Sequence, residues 1–166
     1  IYVVGKPYAE LGGSVYLKTY GAIGNDVPKV HAKEALAAYI ALSAAIQKRM
    51  VLSAHDCSEG GLAVALSEMA FAGGFGATAL LNSVPVDAKV KRDDVLLFSE
   101  SNSRIIVEVD PKNRKAFERM MAGIPMGMIG QVLEGTDLFV YGLKDNLCLK
   151  ADVNELKQAW KKPLQF

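Results

Sequence analysis

The 166-residue sequence predicts one α+β domain in which helices flank a mixed β-sheet. Two observations support this fold class. Apolar segments of strand length alternate with segments of helical periodicity along the whole chain, and no repeat, low-complexity stretch or linker interrupts them. Hydrophobic residues make up 51% of the sequence, which at this length is enough for a single core. Residues 1–166 are therefore expected to form one domain.

In the first half of the chain, strands alternate with two helices. Residues 1–5 are predicted to form a buried strand, and a glycine-rich stretch leads to a helix over 31–49. Residues 50–54 form the next strand, a second helix follows Gly60-Gly61 and stops at Gly73-Gly74, and 77–81 form a strand. The spacing in the first helix predicts a buried face made of Ala35, Tyr39, Leu42 and Ile46, with Leu36 and Ile40 beside it.

In the second half, residues 93–98 are predicted to form a helical turn and residues 105–109 a strand. Asp110 as N-cap and Pro111 at the first position mark the start of a helix that runs to Met121. Strands are predicted over 126–132, 138–141 and 147–150, with a turn at 144–146 and a last helix over 153–160. Because strands and helices interleave, helices are expected on both faces of the sheet.

Charge and cysteine content exclude several classes of protein. The 19 Lys and Arg residues balance 18 Asp and Glu residues without a long run of one sign, so neither nucleic acid nor an anionic membrane is an expected partner. The apolar stretch 36–46 is shorter than the roughly 20 residues of a membrane span, and no leader peptide is recognised. Cys57 and Cys148 indicate neither a disulfide framework nor a zinc site. A cytoplasmic protein is predicted.

The chain starts directly with an apolar strand and has no initiator Met or polar lead-in. We therefore expect it to be a fragment of a longer chain. Surfaces that neighbouring domains would cover should then be apolar, and we expect the isolated chain to self-associate, with a homodimer as the simplest form.

The first candidate ligand-binding segment is Glu10-Leu11-Gly12-Gly13-Ser14. Two glycines before a hydroxyl let the backbone approach a ligand and point successive amides at an anion. A plain turn or helix start, in which the glycines accommodate positive φ angles, explains the same spacing.

The second candidate segment runs from His55 to Leu62, where a strand ends and a helix begins. The amides of Gly60 and Gly61 would lie in the first helical turn, which favours phosphate or carboxylate. Asp56 could hold a magnesium ion, because Mg²⁺ prefers carboxylate oxygen. In the structural alternative, Ser58 is the N-cap, Asp56 accepts hydrogen bonds from nearby amides, and His55 is packed against the backbone.

The third candidate segment, from Phe98 to Arg104, is polar and lies between two apolar segments. Its side chains include Glu100, Ser101 and Asn102, which suit a polar, charged substrate. Arg104 could bind a phosphate or carboxylate through two parallel hydrogen bonds. A serine-rich loop with a surface ion pair between Glu100 and Arg104 is the structural alternative.

In this order and with these separations, the three segments resemble the second-half C-terminal domain of the AIR synthase superfamily. The resemblance is closest to the synthetase subunit of formylglycinamidine ribonucleotide synthase. That family carries E-L-G-G-S-x-Y-L, then H-D-x-S-x-G-G-L-A-V-A-L-x-E-M-A, then F-S-E-S-x-x-R, which correspond to residues 10–17, 55–70 and 98–104 here. The resemblance covers essentially the whole chain, and residues 155–160 are similar to the end of the short form that lacks a glutaminase.

The resemblance implies an ATP- and magnesium-dependent ligase of purine biosynthesis. Enzymes of this family convert formylglycinamide ribonucleotide and ammonia, supplied from glutamine, into the amidine. The implied partners are the N-terminal domains of the same enzyme, a glutaminase subunit and a small accessory subunit. The family's catalytic histidine and main ATP-binding residues belong to N-terminal domains, so no catalytic residue is expected here and the chain alone should be inactive.

The resemblance also assigns individual residues. It places the magnesium contact at Asp56 and the substrate or phosphate contacts at Gly12, Gly13, Ser14, Gly60, Gly61, Glu100, Ser101, Asn102 and Arg104. These roles come from the family's first half; in the second half the site is generally degenerate and linked to a structural nucleotide, and Asn102 replaces the usual Gln. Two alternatives stay open: a purely structural scaffold domain of that enzyme, or the C-terminal domain of an AIR synthase, a selenophosphate synthetase or a hydrogenase maturation protein.

Overall fold

Two four-stranded β-sheets form the framework of the computed structural model, which describes residues 1–164. The first sheet contains β1 (Tyr2–Val4), β2 (Val51–Asp56), β4 (Ile105–Val109) and β5 (Met126–Met128), antiparallel in the order β2-β4-β1-β5. The second contains β3 (Gly76–Leu80), β6 (Gly130–Leu133), β7 (Asp137–Tyr141) and β8 (Leu147–Asp152) in the order β6-β3-β7-β8, with β3 and β7 parallel. Residues 165 and 166 of the predicted domain lie outside the described part.

Six α-helices are found among residues 1–164: α1 (Val15–Thr19), α2 (Ala32–Gln47), α3 (Gly61–Gly73), α4 (Asp93–Phe98), α5 (Arg114–Met120) and α6 (Val153–Lys161). Short 3₁₀ turns occupy Leu81–Ser83, Pro111–Asn113 and Lys162–Leu164. The α+β fold predicted from the sequence is confirmed. Within this described range, none of the helices is long and apolar enough to cross a membrane.

The core has two parts because successive strand residues point to opposite faces of the first sheet. Val3 and Ile106 face α3, and this cluster continues into the second sheet through Ala79, Leu138 and Val140. Tyr2, Val4 and Val107 face the other way and pack against α2 and α5 through Leu42 and Phe117. The helix α3 is apolar on nearly every side, as expected for a helix covered by both sheets.

The sequence predicted one strand over 126–132, and the structure divides this segment between the two sheets. Ile129 is the fully buried link: its N–H donates to the carbonyl of Ile1 (2.9 Å), and its carbonyl accepts the N–H of Leu80 (2.6 Å). The flanking Gly130 lets β6 approach β3 closely, because a Cβ there would collide with the carbonyl oxygen of Thr78. The spacing of Met126, Met128 and Val132 does not reveal such a change of sheet.

The helix α2 also differs from its prediction in the face that it buries. Its buried residues are Ala35, Ala38, Leu42 and Ala45. Tyr39 and Ile46, predicted to be buried, are 45% and 46% exposed, and Leu36 and Ile40 are 60% and 63% exposed. The small alanine side chains let the helix lie close to the sheet, which leaves the larger residues as an uncovered apolar stripe.

The start of α3 provides a direct test of this packing. Gly61 has φ +64, and an added Cβ would meet the carbonyl oxygens of Ser99 and Leu97, the latter at 2.7 Å. Gly74, at the other end of the helix, has φ +74 with open space around it. We expect Gly61→Ala to lower the free energy of unfolding by about 3 kcal/mol and Gly74→Ala by about 1 kcal/mol. Urea denaturation measures both values, and equal losses would contradict the close packing at Gly61.

Candidate functional site

The topology of the first sheet brings the three candidate segments together. Val4, the last residue of β1, pairs with Ile105, and Asp56, the last residue of β2, pairs with the same residue. The two antiparallel partners of β4 thus end where β4 begins. The segments that follow β1 and β2 therefore meet the segment that precedes β4 at one edge of the sheet.

The carboxylate of Glu100 connects these segments. Its Oε1 accepts hydrogen bonds from the backbone N–H groups of Val15 and Gly60, both at 2.9 Å. Val15 is the first residue of α1, and Gly60 is the N-cap of α3 in a left-handed conformation with φ 75. A carboxylate is favoured at such a helix start by the unpaired N–H groups and the dipole. The side chain of Glu100 occupies the position that the sequence predicted for an external anion.

The other amides predicted to bind an anion are also hydrogen-bonded within the chain. Gly12 N–H donates to the carbonyl of Asp26 and Gly13 N–H to that of Ile23, both at 2.7 Å. The N–H of Gly61 donates to the carbonyl of Ser58 at 3.0 Å. Ser14 is the N-cap of α1, which agrees with the helix start given as the structural alternative for this segment, and its Oγ accepts the N–H of Leu17 at 3.2 Å. In this conformation the hydrogen bonds of these residues stabilise the loops from within the chain.

Arg104 lies inside the domain, only 1% exposed. Its Nε donates to the carbonyl of Ser101 at 3.0 Å, and a terminal nitrogen donates to the carbonyl of Ser99. Burial lowers the pKa of Arg104, while Cys57, Glu10 and Glu100 act in the opposite direction. The guanidinium thus fixes the loop from inside the domain, and the surface ion pair with Glu100 that the structural alternative offered is not formed.

The buried polar side chains belong to the same segments. Of the residues whose burial is described, the buried polar ones are Glu10, Ser14, Ser99, Ser101 and Arg104. The Oγ of Ser101 accepts the N–H of Tyr8 at 3.0 Å, which attaches the chain just before the first segment to the third segment. Hydrogen bonds of Ser14, Ser101 and Arg104 hold the loops, whereas Oε2 of Glu10 and Oγ of Ser99 are buried without a partner. The sequence analysis assigned Ser14, Ser101 and Arg104 to ligand binding and missed that they are buried and hold the loops. The alternation of Ser with other residues over Ser99–Ser103 is the signal that could have indicated this.

Asp56 and Asn102, by contrast, are exposed. The side chain of Asp56 is 70% exposed, and a hydrogen bond from the Ser58 hydroxyl lowers its pKa below the usual value. Ser58 therefore contacts Asp56, and Gly60 takes the N-cap position that the structural alternative gave to Ser58.

The fit of Asp56 to a metal ion is limited. No group of three His, Cys, Asp or Glu side chains within residues 1–164 could hold one. Mg²⁺ usually keeps several waters and binds through one or two carboxylates together with substrate phosphates. Asp56 therefore fits the role of the one protein ligand of a Mg²⁺ ion whose other ligands are phosphate oxygens and water.

Comparisons with known proteins agree with this architecture. Residues 1–142 match the family described as AIR synthase related protein, C-terminal domain. Thermotoga maritima PurL complexed with FGAR superposes with a TM-score of 0.81 at 20% identity, over 93% of this chain and 27% of that one. T. maritima phosphoribosylformylglycinamidine synthase II has a TM-score of 0.77 at 20% identity, over 93% and 25%.

A more distant likeness is to HypE of E. coli, a hydrogenase maturation protein, with a TM-score of 0.62 at 16% identity over 92% of this chain and 48% of that one. At these identities the structures share a fold. The chain spans about a quarter of the length of the T. maritima proteins. The family match covers most of the sequence. This chain therefore belongs to the family of AIR synthase related C-terminal domains.

Proposed function

We propose that this chain is the C-terminal domain of a phosphoribosylformylglycinamidine synthase, an ATP-dependent ligase of purine biosynthesis. The observation that carries the proposal is the meeting of all three family segments at Glu100, in a chain whose fold is similar to PurL. Structures of T. maritima PurL are described with FGAR, ATP, ADP and AMPPCP, which supports a nucleotide-handling enzyme. The whole enzyme would act in the cytoplasm on formylglycinamide ribonucleotide and ammonia.

In such an enzyme, ATP supplies the phosphate that makes the amide oxygen a leaving group, and Mg²⁺ offsets the crowded negative charge. The contribution of this chain is binding and positioning. Asp56 and Asn102 are exposed and available to ligands. Arg104, Ser101 and the glycines set the loop geometry.

The Glu100 carboxylate itself marks where a phosphate would bind. A phosphate group that displaced it would meet the N–H groups of Val15 and Gly60, which now donate to Oε1. In the state described here, those donors are already satisfied.

The proposed partners are the remaining domains of the same enzyme, a glutaminase subunit and a small accessory subunit. A T. maritima PurLQS structure is among the similar proteins, which supports an assembly of this kind. The catalytic groups and the main ATP-binding groups would then come from the rest of the longer protein, so the 166-residue chain alone should not turn over substrate.

A purely structural role is the second candidate, and a specific observation favours it. The glycine amides of both loops already donate within the chain, and among the described residues Asp56 belongs to no group of three or more His, Cys, Asp or Glu side chains that could hold a metal ion. A scaffold domain would use the same fold to support neighbouring domains and would bind no ligand of its own.

Calorimetric titration of the chain with FGAR and with Mg-ADP separates these two functions. The ligase domain should bind at least one of them, and Asp56→Asn should weaken Mg-ADP binding about tenfold because the magnesium contact is lost. Asp137→Asn, which removes a half-exposed carboxylate of β7, is the matched control and should leave the affinity unchanged. If neither ligand produces binding heat or raises the melting temperature of the chain, the ligand-binding function is contradicted and the scaffold function remains.

The apolar stripe of α2 leads to a separate expectation about association. Of the 17 exposed large hydrophobic residues found where burial is described (residues 1–163), nine lie between residues 15 and 46, including Leu36, Tyr39, Ile40 and Ile46. Such a concentration indicates a surface that other domains cover. We expect the isolated chain to self-associate in sedimentation velocity and Ile40→Lys to reduce this, whereas Leu147→Lys, on β8, should not. A strictly monomeric wild type at high concentration would contradict the assignment.

A further inference from the structure

A hollow of about 260 Å³ lies where three loop stretches meet. The residues that line it come from the stretches 8–10, 26–31 and 87–89. None of the residues predicted to bind a ligand or magnesium is among them. The hollow is therefore built from a different set of side chains than the position where Glu100 binds the starts of α1 and α3.

Contacts within the chain hold the three stretches in place. The N–H of Asp87 donates to the carbonyl of Pro7 at 3.2 Å, which attaches the third stretch to the first. The rings of Tyr8 and His31 stack, with their centroids 4.2 Å apart and their planes 15° apart, which attaches the first stretch to the second. The hollow is thus formed without a ligand, as most small-molecule sites are.

Two residues that line the hollow carry a buried polar atom without a hydrogen-bond partner. These atoms are Oε2 of Glu10, a residue that is only 7% exposed, and Nε2 of His31. They are two of the three such atoms found in the described part of the chain. Buried polar groups are nearly always paired, so their concentration in one hollow marks it as a place where a ligand would supply the missing partners.

The cations around Glu10 balance its charge without completing its hydrogen bonds. The buried guanidinium of Arg104 attracts the Glu10 carboxylate, but its own hydrogen bonds go to two carbonyl groups of the neighbouring loop. Lys29 and Lys89 line the hollow and are exposed, and neither bonds to Oε2 of Glu10. The acceptor is therefore still available to a donor that enters the hollow.

The charges around the hollow favour a neutral ligand. Its lining contains the carboxylates of Glu10, Asp26 and Asp87 and the ammonium groups of Lys29 and Lys89, and the guanidinium of Arg104 adds a third positive charge next to Glu10. A ligand with a net charge of either sign would meet repulsion as well as attraction. A neutral group with strong N–H donors gains the hydrogen bond to a carboxylate without this cost.

We propose that this hollow binds a small molecule with a primary carboxamide group. One N–H of the amide would donate to Oε2 of Glu10. The carbonyl oxygen or the second N–H would pair with Nε2 of His31, so the group suits either tautomer of the imidazole. The size agrees, since a cavity of about 150 Å³ accommodates benzene. This site does not depend on the proposed ligase function.

The test is an NMR titration of the 166-residue chain with propionamide, and with butanone as a neutral probe of the same shape. Butanone keeps the carbonyl group but has a methyl group in place of the NH₂ donor. Propionamide should produce saturable shifts at the backbone amides of Ala9, Glu10, His31 and Lys89. Butanone should bind about tenfold more weakly, because it cannot donate to the carboxylate.

Two variants remove one partner each. Glu10→Met has a side chain of similar length without the acceptor and should bind both probes equally, whereas Glu134→Met, at an exposed carboxylate outside the hollow, should keep the tenfold difference. His31→Phe keeps a ring that can stack on Tyr8 but lacks the nitrogen, and it should weaken propionamide binding about fivefold.

Thermal unfolding of each variant checks that the domain is intact, and His31→Phe keeps the test decisive if Glu10→Met does not fold. Equal affinities of the wild type for the two probes would overturn the proposal. Wild-type affinity for propionamide in every folded variant, or the absence of saturable shifts at these amides, would overturn it as well.

Discussion

The buried guanidinium of Arg104 and the two carbonyl groups that it binds determine the geometry of the whole loop region. A charge inside a protein is costly unless its donors find acceptors, and here the carbonyls of Ser99 and Ser101 accept from two of the guanidinium nitrogens. Both acceptors belong to the loop on either side of Glu100. Closing the loop onto Arg104 therefore also directs the Glu100 carboxylate toward the starts of α1 and α3.

That arrangement changes the interpretation of the family segments. Glycines before a helix are usually associated with an external anion, but the N–H groups of Val15 and Gly60 here bind the chain's own carboxylate. Such an internal anion stabilises the two helix starts without a ligand. It also agrees with a domain that stands beside a reaction centre in a larger enzyme, holding one conformation while other domains supply catalytic groups.

Secondary structure and fold class could be predicted from the sequence because they follow from local patterns. The end of α3 at Gly73-Gly74 was predicted correctly, since a left-handed glycine acts locally. Asp110 is a cap as predicted, but it caps the 3₁₀ turn Pro111–Asn113, and the α-helix begins only at Arg114. The division at Ile129 was not predictable, because the sequence of a short strand segment does not say whether it pairs with one sheet or two. The exposed face of α2 was missed for a related reason: large hydrophobic residues at helical spacing give the same pattern whether a core covers them or not.

The three candidate segments could be recognised from the sequence, but neither their meeting point nor the role of each residue could. It is the sheet topology that brings the ends of β1 and β2 to the start of β4. Sequence patterns do not distinguish a polar side chain that faces a ligand from one that is buried and holds a loop, as Ser101 and Arg104 do.

The central claim is that the buried guanidinium of Arg104 positions the Glu100 carboxylate. The most direct test is a double-mutant cycle between Arg104→Lys and Glu100→Gln, in which the free energy of unfolding is measured in urea. Lysine keeps the charge but lacks the planar fork, so the loop should already have released Glu100 when the second substitution is added. We predict that the double variant loses less stability than the sum of the single variants, by at least about 0.5 kcal/mol. Strictly additive losses would show that the two side chains act independently and would contradict this account.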